Sequence, residues 1–157
     1  MKNVVSDDLR RVLENEVREL AVAEDRGLHI AGIVLAGSIG EGLLYDALRS
    51  EKARAMAASK APPGRGGLPK DVEKDEWKLA DYINVAAELG MLVPTTQRMA
   101  HDVLRDFRNM IHPKVQVEKK LRPDASELKA SIAWLEAVAR DLAEYRRAKM
   151  SPSSPSS

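Results

Sequence analysis

The chain has no cysteine, one phenylalanine and, over 157 residues, a formal net charge of only +1. Without cysteine there are no disulfides, thiolate nucleophiles, zinc fingers or iron–sulfur clusters. Aromatics are only 4% of the chain, so the core must be built from Leu, Val, Ile, Ala and Met. The near-zero charge predicts no nucleic-acid partner by itself; such a site has to come from local clustering. Long apolar runs are missing too. The most apolar stretch, residues 28–39, contains His29 and is followed by Glu41, short of the roughly 18–20 residues a membrane span needs. The first eight residues turn polar by Ser6, unlike a secretory signal. The expectation is a cytoplasmic protein with no membrane partner. Apolar residues make up 44% and charged residues 31%. That is enough for a core and too apolar for general disorder, and the length fits one domain.

Helical periodicity runs through the chain. Leu9, Leu13, Val17, Leu20 and Ala21 predict an amphipathic helix from Ser6 to about Arg26, with Gly27 as its stop. Residues 28 to about 54 are apolar nearly all round at first and predict the central buried helix. Gly32, Gly37, Gly40 and Gly42 cost up to about 1 kcal/mol each there. Either close helix–helix approach compensates, or the helix breaks near residues 37–42. Residues 61–69 hold three prolines and three glycines and end any helix; we expect a flexible loop over 57–70. A third helix is expected from Asp71 or Asp75 to Leu89, with Trp77, Ala80, Ile83, Ala86 and Ala87 inward and Gly90 as cap. A fourth starts at a Thr95 or Thr96 cap and ends at His112-Pro113. The last opens on a capping box, Asp124 to Glu127, and turns Leu128, Ile132, Leu135, Val138, Ala139 and Leu142 inward. The reading is one all-α domain over residues 1–149, a four- to five-helix bundle with a Pro/Gly-rich loop between its second and third helices. A disordered Ser/Pro tail is expected over 150–157.

The fourth helix carries the chemistry. At about 100° per residue from His101, Arg98 lies near 60°, Arg105 near 40°, Arg108 near −20° and His112 near 20°. Two histidines and three arginines therefore share one stripe. Asp102, Asp106 and Asn109 lie beside it, and Met99, Val103, Leu104, Phe107, Met110 and Ile111 oppose or flank it. Like charges at these spacings disfavour an isolated helix by a few tenths of a kcal/mol per pair, and such conflicts collect at functional sites. Pairing of the arginines with Asp102 and Asp106 on a solvated face is the plainer alternative. His112 stands at the negative end of the helix dipole, which favours imidazolium, beside arginines that oppose it. A proton donor and acceptor near neutral pH suits general acid–base work. Arginine suits phosphate oxygens and their transition-state charge.

Residues 104–113, Leu-Arg-Asp-Phe-Arg-Asn-Met-Ile-His-Pro, resemble the signature of HEPN domains, a helical family with many prokaryotic toxin and defence ribonucleases. The family pattern is Arg, a polar residue, then His after four to six residues; Arg105-Asp106 with His112 fits, whereas Arg108-Asn109 stands too close. Residues 35–44 are similar to the helix that bacterial members set against the signature. The resemblance covers about residues 28–145. It implies a helical bundle, a homodimer with two signatures facing across a cleft, and metal-independent RNA cleavage to a 2′,3′-cyclic phosphate without cofactors. Arg105, Asp106 and His112 would be catalytic. Arg108, Asn109, Lys114, Arg98 and His101 would bind substrate. An antitoxin or defence-complex protein is a further implied partner. Some HEPN toxins carry a modifiable tyrosine two residues after the histidine; here Lys114 stands there. Other members bind without cleaving, so a non-catalytic module holding RNA or a protein is the alternative.

Residues 98–122 hold seven Lys and Arg against three acids, while residues 1–50 hold six against nine. The positive end coincides with the signature, as expected of an RNA-backbone site read by shape. His29 is expected to be a hydrogen-bonded structural residue. Ser38 and Glu41 either orient Arg105 or His112 or make plain helix-to-helix contacts. No His, Asp and Glu set has convincing metal-ligand spacing.

Overall fold

A computed structural model describes residues 6–110, 114, 117–118 and 123–150, with the side chains of 105–110 outside that description. The expected Ser/Pro tail lies beyond the described residues. Six α-helices are described: α1 Asp7–Asp25, α2 His29–Ser50, α3 Lys52–Ala57, α4 Leu79–Glu88, α5 Pro94–Met110 and α6 Ala125–Met150. The described residues contain no strand; one isolated bridge joins Pro63 and Pro69.

Ser6 caps α1, accepting the Leu9 N–H at 3.4 Å. The buried stripe is Leu13, Leu20 and Ala23, with Leu9 and Glu16 partly buried. Val17 and Ala21, expected on that stripe, are exposed. The wheel that meets α2 steps by four and three through 9, 13, 16, 20 and 23, so a half-buried glutamate replaces the valine.

α2 is the hub and packs against every other described helix. It runs unbroken through its glycines, and close approach is their compensation. A Cβ on Gly32 would stand 2.6 Å from Leu128 Cδ1, and one on Gly40 would overlap the Trp134 ring, 2.7 Å from Cζ3. The helix ends at Glu51, where φ is −118° and ψ 30°, so the expected span to Arg54 is divided into α2 and α3. This break, not one at the glycines, yields the sixth helix. Asp46, fully buried on α2, pairs with Arg146 of α6 at 3.0 Å and with Arg49 at 3.5 Å. The pair ties the far ends of α2 and α6 together, beside a Glu51–Lys149 ion pair.

The Pro/Gly segment follows α3. Gly64 N–H donates to Leu68 O at 2.7 Å and Lys70 N–H to Pro62 O at 2.9 Å, closing a small loop. Glu88, at the end of α4, accepts the Ser59 N–H at 2.7 Å and the Lys60 N–H at 2.9 Å. These bonds hold its carboxyl below the ordinary 4.5, the Ser59 N–H first among them. A lowered folded pKa means stability present above the ordinary value and lost as pH falls through the folded one. We therefore expect the protection factors of the Ser59 and Lys60 amides, corrected for the intrinsic exchange rate, to fall on acidification, and Glu88→Gln to lose most of that pH dependence; hydrogen exchange by NMR measures it.

α4 starts later than expected. Asp75 accepts the Asp71 N–H at 2.7 Å and Asp71 the Glu73 N–H at 2.9 Å, so these acids build turns instead of a first helical turn. Asp81 then accepts the Lys78 N–H at 2.8 Å to open the helix. Trp77 is buried just outside it, with Ile83 and Ala86 inside. Gly90, at φ +72°, turns the chain out as expected. The last helix keeps its capping box: Glu127 accepts the Asp124 N–H at 3.0 Å and Asp124 the Ser126 N–H at 2.6 Å. Leu128, Leu135, Val138 and Leu142 are buried as expected, joined by Trp134; Ala139 is exposed.

Candidate nucleic-acid interface

α5 begins at Pro94, a first-turn position where a missing N–H costs nothing. The expected threonine cap is absent: Thr96 is buried, 1% exposed. The chain enters the helix through Val93, whose N–H donates to Asp141 Oδ2 of α6 at 3.0 Å. Asp141 is itself buried and accepts from Arg140 at 3.3 Å. Sequence reasoning missed this anchor. Its signal was an acid on the apolar stripe of the last helix, three residues past Val138.

Over residues 94–104 the two faces of α5 separate as expected. Ala100 and Val103 are buried with Thr96, and Met99 and Leu104 partly so. Arg98, His101 and Asp102 are exposed. Arg98 donates to Thr95 Oγ1 at 3.3 Å, a bond within the first turn. The backbone continues as helix to Met110, so Arg105 and Arg108 occupy the register positions that follow Arg98 and His101 along the same stripe. The side chains of Arg105, Asp106, Arg108 and Asn109 lie outside the described residues, as does all of His112. Lys114 is exposed and 3.6 Å from Glu118. An exposed pair of this kind contributes about 0–1 kcal/mol, so Glu118 does not hold Lys114 against a phosphate.

Gly32, Gly40 and Asp46 of α2 face Leu128, Trp134 and Arg146 of α6, so these two helices run parallel. α5 starts beside Asp141 and packs against α6. Its 17 residues span about 25 Å. At the start of α6, Pro123 stands beside Leu28 and Ile30 of the α1–α2 turn.

Ser38 and Glu41 have these neighbours among the described residues. Ser38 donates to Glu16 Oε1 of α1 at 2.8 Å, making it a plain helix-to-helix contact. Glu41 belongs to the α4 side: partial burial and then the Glu76 charge push its carboxyl up. Burial first, and Glu41 next, push the buried Tyr82 phenol up to about 12. His29 is half-buried in the first turn of α2, with no hydrogen bond to its ring among the described residues, unlike the bonded residue expected. Compared with protein-family models, curated proteins and solved structures, the chain matches none.

Proposed function

We propose that this protein is a metal-independent endoribonuclease of the HEPN type, acting in the cytoplasm as a toxin or antiviral-defence component. The observation that carries the proposal is α5: Arg98 and His101 are exposed opposite a buried face, and the helical register runs on unbroken to Arg105 and Arg108. In this reading the 2′-hydroxyl of RNA attacks the adjacent phosphorus. A base removes its proton, the P–O5′ bond breaks, and an acid protonates the leaving 5′-oxygen, leaving a 2′,3′-cyclic phosphate. His112 serves as general acid or base, and Arg105 stabilises charge on the phosphoryl oxygens. Asp106 orients them. Arg98, His101, Arg108, Asn109 and Lys114 hold the RNA backbone, whose charge makes binding salt-dependent.

The test is cleavage of RNA by the purified protein in EDTA, with the ends analysed. Cutting that leaves 2′,3′-cyclic phosphate ends supports the proposal. An RNA that binds but is not cut would move the assignment to a non-catalytic RNA-binding module. A protein that neither binds nor cuts RNA overturns both.

A further inference from the structure

The ion-pair cluster at the ends of α2 and α6 borders a cavity of about 330 Å³. No described residue of α5 lines it, so it lies apart from the arginine and histidine stripe. Its wall is largely apolar: Ala47 of α2 with Leu142, Met150 and the Tyr145 ring of α6. Charged groups stand at its edge. Glu51 accepts from Lys149 and, at 3.3 Å, from Arg54. Arg54 also donates to Tyr145 Oη at 2.7 Å, and Lys149 Nζ lies 5.8 Å from the centre of the Tyr145 ring. Arg146, on the lining as well, is held by the buried Asp46.

We infer that this cavity binds a small organic anion, an acidic head on an apolar body, with Lys149 and Arg54 gripping the head and Leu142, Tyr145 and Met150 holding the body. Exposure selects the sign of the ligand. The Asp46 and Glu51 side chains are 0% and 12% exposed, whereas those of Lys149 and Arg54 are 50% and 52%. Both acids therefore sit behind the cations, and a ligand meets N–H donors first. Among the described residues those donors have capacity to spare. Lys149 gives one of its three N–H groups to Glu51, and Arg54 bonds through Nη1 alone, which leaves Nε and Nη2. Hydrogen bonds from such cations to an anion are the strong kind. The charge count agrees: Arg49, Arg54, Arg146 and Lys149 stand against Asp46 and Glu51, four cations to two acids. The cations are also held in place beforehand. The hydrogen bond from Lys149, first of several causes, keeps the Glu51 carboxyl below its ordinary 4.5, so it stays ionised and fixes both Lys149 and Arg54. Size sets the class of ligand. The cavity lies at the small end of the range of about 300–1,000 Å³ that takes small molecules, too small for an RNA strand or a folded partner.

Nothing in this binding requires RNA cleavage, so it is tested without RNA. Octanoate titrated into the full chain should shift the backbone amide resonances of Ser50, Glu51, Tyr145 and Lys149, with a Kd on the order of 1 mM for a ligand of this size. Octanol lacks the charge and acetate lacks the body, so each should bind about tenfold more weakly or worse. Hexyl phosphate distinguishes the head: binding tighter than octanoate assigns it to a phosphate monoester, and weaker binding to a carboxylate. Lys149→Gln should weaken octanoate binding about tenfold, and Lys149→Arg should retain it. Ser50→Trp, at an exposed position on the cavity lining, should fill the space and abolish the shifts with unchanged circular dichroism. Octanoate affinity unchanged in folded Lys149→Gln and Ser50→Trp overturns the inference. So do shifts centred on the exposed valines of α1 and α2, or no binding of either octanoate or hexyl phosphate.

Discussion

Alanine at His112 is expected to lower RNA cleavage by about 10²–10⁴-fold, the range for loss of a positioned proton-transfer group. Arg105→Ala should cost about 10²–10³-fold, as removal of one transition-state charge partner does. Both rates are read in EDTA beside the wild type. Circular dichroism and thermal melting supply the control for folding; the described buried anchors of α5 are Ala100, Val103 and the Val93–Asp141 bond. Arg98→Ala separates binding from chemistry. It should weaken RNA affinity and flatten the salt dependence by about one phosphate contact while sparing the rate at saturation. Full cleavage by folded His112→Ala and Arg105→Ala would remove the catalytic assignment. Unfolding of both variants would give the two residues a structural role.

Gly40→Ala is expected to destabilise the fold by about 2–3 kcal/mol, the upper part of the range for overpacking a well-filled core. Intrinsic helix propensity points the other way, since alanine gains about 1 kcal/mol over glycine in a helix interior. Packing wins because the added Cβ meets Trp134, a rigid ring that is 0% exposed and has nowhere to move. At about 2–4 °C per kcal/mol for a chain of this size, the melting temperature should fall by roughly 5–10 °C. Trp134→Phe withdraws the atoms that the new methyl would strike. The double variant should therefore be more stable than the sum of the two single losses, a positive coupling that urea titration measures directly. Additive losses would mean that α2 and α6 separate rather than clash.

Much of this bundle was legible in the sequence, and the misses share a cause. The hub role of α2 and the use of its glycines for close approach followed from an apolar run too uniform for a surface helix. The division of the faces of α5 followed from spacing alone. Val17 was misplaced because periodicity sets the width of an apolar stripe but leaves its centre uncertain, and Glu16, bonded to Ser38, took the inner position. α4 was begun too early because aspartates that look like first-turn acids also serve as turn formers, as Asp71 and Asp75 do. The capping of α5 was misread because its partner, Asp141, lies 48 residues away. Long-range polar anchors such as Asp141 and Asp46 leave only a weak trace, a lone acid within an apolar stripe. For the candidate site, spacing provided Arg98 and His101 as exposed neighbours. The roles of Arg105 and His112 rest on the signature they resemble.

The Asp46–Arg146 pair joins residues 100 apart in sequence. Gly40 and Trp134 meet over nearly as long a separation. A helical protein wired this way closes late, because loop-closure entropy must be overcome before its central helix is covered. On the ribosome, α1 to α5 emerge while the glycine face of α2 still waits for α6. Until the last helix leaves the exit tunnel, the most apolar segment of the chain has water on the side meant for Trp134. The nascent protein is then most exposed to chaperones and to aggregation. A synthesis arrested before residue 134 should therefore yield a chain that chaperones retain, and release should coincide with the arrival of α6.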